Sequence, residues 1–122
     1  MTRWLLLALT LALPLLQPGQ AAAETRLLML DQVACEWCAR WDSEVGAVYT
    51  RTAEGRRAPL IRSNIRAPLP EGVMLARTAR FTPTFVLIED GIEIGRIEGY
   101  PGEDFFYGML QQLLDRAGKP EG

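Results

Sequence analysis

The apolar positions of this chain change period along its length, and each change marks an element. Leu27-Leu28-Met29-Leu30-Asp31 is an unbroken apolar run ending in a carboxylate, the pattern of a strand buried on both faces. From Glu36 the spacing turns helical, with Trp37, Trp41, Val45, Val48, Tyr49 and Thr52 on one side, and Gly55-Arg56-Arg57 closes that helix. Pro59 to Ile65 reads as a second strand and Pro70 to Ala79 as a short helix. Phe85 to Ile88 is another buried strand, Asp90-Gly91 a hairpin turn signal, and Ile92 to Ile97 the returning strand. The alternation of that last strand slips beside Gly95, which predicts a bulge. Phe106, Met109, Leu110, Leu113, Leu114 and Ala117 draw an apolar stripe on a C-terminal helix, stopped by Gly118 and Pro120.

The first two strands, joined through a helix, are expected to run parallel, and the last two to form an antiparallel hairpin. The prediction is an α/β fold with a mixed four-stranded sheet flanked by helices. The loop between the first strand and the first helix falls at the carboxyl edge of that sheet, where such folds place their sites.

That loop carries the only two cysteines of the chain, Cys35 and Cys38, in the run Ala-Cys-Glu-Trp-Cys-Ala. At the start of a helix, unpaired N–H groups and the helix dipole stabilise a thiolate, so Cys35 is the candidate nucleophile. Cys38, one turn along, is placed to resolve a mixed disulfide. Two blander readings compete. A zinc site lacks partners, because the chain has no histidine and no further cysteine. A purely structural bridge across so short a loop would remove little chain entropy. Thiol–disulfide exchange is the reading that remains, and it calls for no cofactor and no metal.

The N-terminal segment reads as a leader rather than as part of the fold. Arg3 precedes the apolar stretch from Trp4 to Leu13, Pro14, Pro18 and Gly19 break it, and Ala21-Ala22-Ala23 offers small residues for cleavage. The expected organisation is a signal peptide over 1–23 and one domain over 24–122, exported to the periplasm, with retention as an N-terminal anchor the alternative. Outside the cytosol a dithiol is either an oxidant recharged locally or a reductant fed electrons through the membrane. Without Arg3 the domain carries 12 basic and 15 acidic residues. So mild a balance gives no case for nucleic acid or an anionic membrane. Arg56, Arg57, Arg62 and Arg66 read as solvated surface, and the domain is expected to be a monomer.

With the elements in this order, the chain resembles the thioredoxin superfamily. Two features carry the resemblance: the CxxC after the first strand, and Arg80-Phe81-Thr82-Pro83-Thr84-Phe85 directly before the Phe-Val-Leu-Ile strand. The latter run resembles the family's threonine–proline step, which implies a cis Pro83 facing the dithiol and a Thr82 backbone that pairs with bound peptide. Glu98-Gly99-Tyr100 is similar to the glycine-containing end of the family's fourth strand. Glu36 and Trp37, inside the CxxC, are then expected on the docking surface, although Trp37 and Trp41 also suit helix packing.

Departures from the family pattern are equally informative. Met29 stands where many members bury an acid six residues before the nucleophile, so proton transfer at Cys38 needs another route, through Asp31, Glu36 or water. Ala34 replaces the tryptophan often found before the CxxC, and Glu36 places negative charge beside the thiols, which opposes thiolate formation. A reductant is therefore expected rather than a strong oxidant. The chain has no room for the helical insertion of the strong oxidants. It is most similar to the small SoxS-type thioredoxins of bacterial sulfur-oxidation systems. That likeness implies a periplasmic thiol or disulfide partner, such as the sulfur-carrier protein of thiosulfate oxidation, and a membrane electron donor. A disulfide oxidase or isomerase, or a non-catalytic binding module on the same fold, are the competing readings.

Overall fold

A computed structural model describes residues 24–118; residues 1–23, on which the expected leader falls, and residues 119–122 lie outside the described region. Four strands form one sheet: β1 (Thr25–Asp31), β2 (Leu60–Asn64), β3 (Thr84–Glu89) and β4 (Ile92–Glu98). Their order is β2-β1-β3-β4, with β1 and β2 parallel and the other pairings antiparallel. Three α-helices accompany them: α1 (Glu36–Trp41), α2 (Ala53–Arg57) and α3 (Glu103–Arg116). The mixed four-stranded sheet expected from the sequence is present.

Period-two alternation divides the strands between two cores. Leu27 and Met29 of β1, Phe85 and Leu87 of β3 and Ile97 of β4 face the helices, where they meet Trp41, Val45, Tyr49, Phe106, Leu110 and Leu114. Trp41, Phe85 and Phe106 form the centre of that core, with ring centroids 4.8–5.7 Å apart in tilted and edge-on arrangements. Leu28, Leu30, Val86 and Ile88 face the other way.

The second face is covered differently from expectation. No helix forms over residues 70–79. An irregular segment lies there instead, packing Val73, Leu75 and Ala79 on the sheet beside Ile65, and Met74 makes a parallel bridge to Ile92. Apart from one turn bond, from the Val73 N–H to the Pro70 carbonyl at 3.2 Å, its backbone is tied to the hairpin and β4: the Met74 N–H donates to the Gly91 carbonyl at 2.7 Å and the Glu93 N–H to the Met74 carbonyl at 3.1 Å. Arg96 and Glu93, both on β4, reinforce this edge. Arg96 Nε lies 2.5 Å from Glu93 Oε1, one Arg96 Nη donates to the Arg77 carbonyl at 2.6 Å, and Glu93 Oε2 accepts the Ala76 N–H at 2.6 Å. With side chains only 4% and 3% exposed, this is a buried ion pair that clamps the segment down.

The helix expected from Glu36 to the Gly55 region is broken into pieces. α1 passes into a π-helical turn over Asp42–Gly46, then a 3₁₀ turn over Tyr49–Arg51, and restarts at α2 with Thr52 as N-cap, its hydroxyl accepting the Gly55 N–H at 2.9 Å. Widening the turn at 42–46 shifts the phase of the stripe. Trp41, Val45 and Tyr49 stay buried, whereas Val48 and Trp37 fall outside the core. Gly55 is inside a helix, where a Cβ would sit 1.8 Å from the Tyr49 carbonyl oxygen, so its role is close approach rather than helix termination. The C-terminal stripe is narrower than expected, because Met109 is exposed while Phe106, Leu110, Leu113 and Leu114 are buried.

The hairpin and the bulge form where the sequence pattern puts them. Asp90 and Gly91 both take positive φ, 52° and 82°, as a tight two-residue hairpin requires. The β3–β4 register shifts between Leu87 and Ile88: Leu87 pairs with Gly95 but Ile88 with Glu93, leaving Ile94 as the extra residue.

Candidate functional site

The dithiol stands at the carboxyl end of β1. Ala34, at φ 61°, turns the chain sharply out of the strand, and Cys35 follows as the extended N-cap of α1. A non-glycine residue in the left-handed region is a strained choice that tertiary context must hold. Here it swings Cys35 to the top of the helix. Cys35 Sγ accepts the Cys38 N–H at 3.1 Å, one of the helix-end donors that would stabilise a thiolate there. Cys35 and Cys38 are joined as a disulfide. Cys38 is 4% exposed, within the helix-side core that also holds Met29 and Phe85, whereas Cys35 is half-buried. Among the described residues no group of three or more histidine, cysteine or carboxylate side chains could hold a metal.

Strand register brings the second motif to the same end. Leu30 pairs with Thr84, and Thr84 with Glu98, so Thr82-Pro83 and Gly99 lie level with the turn that carries the cysteines. The Thr82–Pro83 peptide is cis. Gln32 Nε2 donates to Thr82 Oγ1 at 3.0 Å, the Gly99 N–H donates to the Pro83 carbonyl at 2.7 Å, and Thr84 Oγ1 donates to the Phe81 carbonyl at 2.6 Å. Phe81, Thr82, Glu98 and Gly99 line a shallow recess of about 330 Å³ beside this step. Val33, Trp37 and Phe81 are large apolar side chains left exposed around the site.

Trp37 is 50% exposed and packs under the Arg40 guanidinium, 5.3 Å from the ring centroid. Arg40 Nε in turn donates to Glu44 Oε1 at 2.7 Å, and the Tyr100 hydroxyl donates to Glu44 Oε2 at 2.6 Å. The Tyr100 and Arg40 hydrogen bonds hold the Glu44 carboxyl below its ordinary range, and burial together with the Glu44 hydrogen bond and charge pushes the Tyr100 phenol up. Glu36 is exposed at the first position of α1.

Asp31 is on the Met29 face of β1, but its carboxylate is taken up by Arg62 of β2, at 2.8 Å from one Nη and 3.1 Å from Nε. The same guanidinium reaches Asp42 at 2.6 Å. Arg62, expected on the sequence pattern to be solvated surface, therefore ties the end of β1 to the turn that follows α1. Nothing in the sequence pattern singles out Gln32, Arg40 or Glu44 for the site, and Tyr100 is marked only as part of the Glu98-Gly99-Tyr100 likeness to the family's fourth strand. The Arg40–Glu44 pair has the signal of its i, i+4 spacing, whereas the link from Tyr100 crosses 56 residues and has no local signal.

A dithiol N-capping a helix beside a Thr–Pro step, on a β2-β1-β3-β4 sheet, defines a thioredoxin-fold thiol–disulfide oxidoreductase. No family model matches the chain, and no curated protein matches it either. Among solved structures it is similar to the periplasmic thioredoxin SoxS from Paracoccus pantotrophus, crystallised in its reduced form. The two are 55% identical, with a TM-score of 0.76, over 77% of this chain and 99% of that one. The chain belongs to the thioredoxin family, among its small SoxS-type members. The periplasm, expected from the leader, is the compartment of this relative.

Proposed function

We propose that this protein is a periplasmic reductant, drawing electrons from a membrane donor and acting as a monomer on disulfides or thiol adducts of a partner protein. A partner in sulfur oxidation, such as the sulfur carrier of thiosulfate oxidation, is the reading favoured by the likeness to SoxS. The observation that carries the mechanism is the asymmetry of the dithiol: Cys35 is partly open and receives the Cys38 N–H, while Cys38 is enclosed. The Cys35 thiolate attacks one sulfur of the partner's disulfide, the S–S bond breaks, and the other sulfur leaves as a thiolate. Cys38, once deprotonated, attacks Cys35 Sγ and releases the partner's second thiolate. Two electrons have passed to the partner and the Cys35–Cys38 bond has formed.

Thr82 and Pro83 dock the partner's extended backbone at the recess, and Glu36 and Trp37 flank it. Proton transfer at Cys38 is left to Asp31, Glu36 or water: Asp31 shares the Met29 face of β1, but its carboxylate is engaged by Arg62. The domain is read as 24–122 after removal of the 1–23 leader.

The test is a Cys38→Ser variant, produced as the full chain in an exporting bacterium and quenched in acid. A mixed disulfide through Cys35, released by reductant, is expected. A variant that accumulates no adduct while wild-type controls turn over would overturn the assignment of Cys35 as nucleophile.

A further inference from the structure

Trp37 sits exposed on the dithiol helix and Tyr100 next to Gly99 of the recess, and a chain of contacts joins the two. The Arg40 guanidinium lies over the Trp37 ring, Arg40 and Tyr100 bond the two oxygens of Glu44, and Tyr100 follows directly on Gly99, which lines the recess. Trp37 itself is half exposed and belongs to neither core. A tryptophan free to sample rotamers loses that freedom when a partner docks, whereas one already held loses little.

From this we infer that Arg40 is a positioning residue that holds Trp37 as a preformed docking platform, with Glu44 and Tyr100 fixing Arg40 to the chain next to Gly99 of the recess. Arg40 bonds Glu44 and covers the Trp37 ring, and it acts on the site through Trp37. The side chain that receives protein substrate is thereby set by three residues from two regions distant in sequence. This deepens the proposed reductase reading and rests on Trp37 belonging to the docking surface.

The experiment compares Trp37→Ala, Arg40→Met and Arg40→Lys in the full chain, exported and purified, with insulin as the protein disulfide and dithiothreitol as electron donor. Removing the platform in Trp37→Ala should raise KM for insulin. Arg40→Met should raise it about three- to tenfold at unchanged kcat, the range that ordering one side chain commands. Arg40→Lys, which keeps a cation over the ring and a partner for Glu44, should recover most of the loss. Time-resolved anisotropy supplies a further readout. The quencher-accessible emission, identified by its loss in Trp37→Ala, should gain a fast component in Arg40→Met and lose it again in Arg40→Lys. Thermal midpoints within a few degrees of wild type would certify the fold of each variant.

An unchanged KM in Trp37→Ala would overturn the docking role of Trp37 and this inference with it. A raised KM in Trp37→Ala with wild-type KM and anisotropy in Arg40→Met would leave docking intact and overturn the positioning role. A fall in kcat in Arg40→Met would likewise contradict it, since Arg40 would then be acting on the dithiol itself.

Discussion

Replacing Arg96 by methionine should destabilise the fold by about 3–5 kcal/mol, the cost of removing one partner from a buried ion pair. Arg96→Met keeps the apolar stem but leaves the Glu93 carboxylate, 3% exposed, with the Ala76 N–H as its remaining bonded partner, and it strips the Arg77 carbonyl of its donor. In urea, at a slope of roughly 1.5 kcal/mol/M for a domain of this size, the midpoint should fall by about 2 M or more. The loss should be local first. Glu93 accepts the Ala76 N–H, so hydrogen exchange at Ala76 and along the Met74–Ile92 bridge should accelerate before global unfolding. The pH dependence follows from Glu93. Burial raises its pKa, but hydrogen bonds from Arg96 and the Ala76 N–H and the charges of Arg96 and Arg77 outweigh that, and the net direction is down. A depressed carboxyl contributes stability that is full above the unfolded value of about 4.3 and is lost as pH falls through the folded one. The gap between wild type and Arg96→Met should therefore narrow in acid below that range. A midpoint shift smaller than about 0.3 M at pH 7, about a tenth of the expected energy at that slope, with Ala76 protection intact, would refute the clamp.

Three further outcomes are expected. Gly55→Ala drives a Cβ into the Tyr49 carbonyl and should destabilise severely, by more than about 3 kcal/mol, read as a lowered thermal midpoint; Gly108→Ala, with open space around its Cβ, is the control. Tyr49→Phe removes the buried hydrogen bond to the Ala58 carbonyl (2.8 Å) and should cost about 1–2 kcal/mol in denaturant titration. Glu44 is held below its ordinary range, so the contribution of its bonds is present above the unfolded carboxylate value and lost as pH falls through the folded one; a Glu44→Gln variant should flatten that acid limb of the stability profile.

Much of this fold was legible because β1 and β3 are buried on both faces and β3 turns into β4 on Asp90-Gly91, patterns that local sequence carries in full. The dithiol was legible for the same reason: Cys35 and Cys38 are the only cysteines and precede a helical period. The coverage of the other sheet face was not. Residues 70–79 place Val73, Leu75 and Ala79 against the sheet, with Met74 and Ala76 bonded to the hairpin and β4 between them. What decides their conformation is therefore a strand that lies further along the chain. The broken helix misleads in another way. Trp41, Val45 and Tyr49 keep i, i+4 spacing through a π turn, so periodicity alone reports one helix where there are several pieces. Around the site, the Arg62 bridge and the Tyr100–Glu44–Arg40 relay depend on distant elements meeting, which spacing along the chain does not encode.

The direction of electron flow is tested most directly by the reduction potential of the Cys35–Cys38 pair, measured by equilibration of the exported protein with glutathione or dithiothreitol buffers. A reductant should give a value at or below about −230 mV, in the thioredoxin-to-glutaredoxin range. A value near about −120 mV, that of a strong periplasmic oxidant, would contradict the proposed direction and make the protein a disulfide donor.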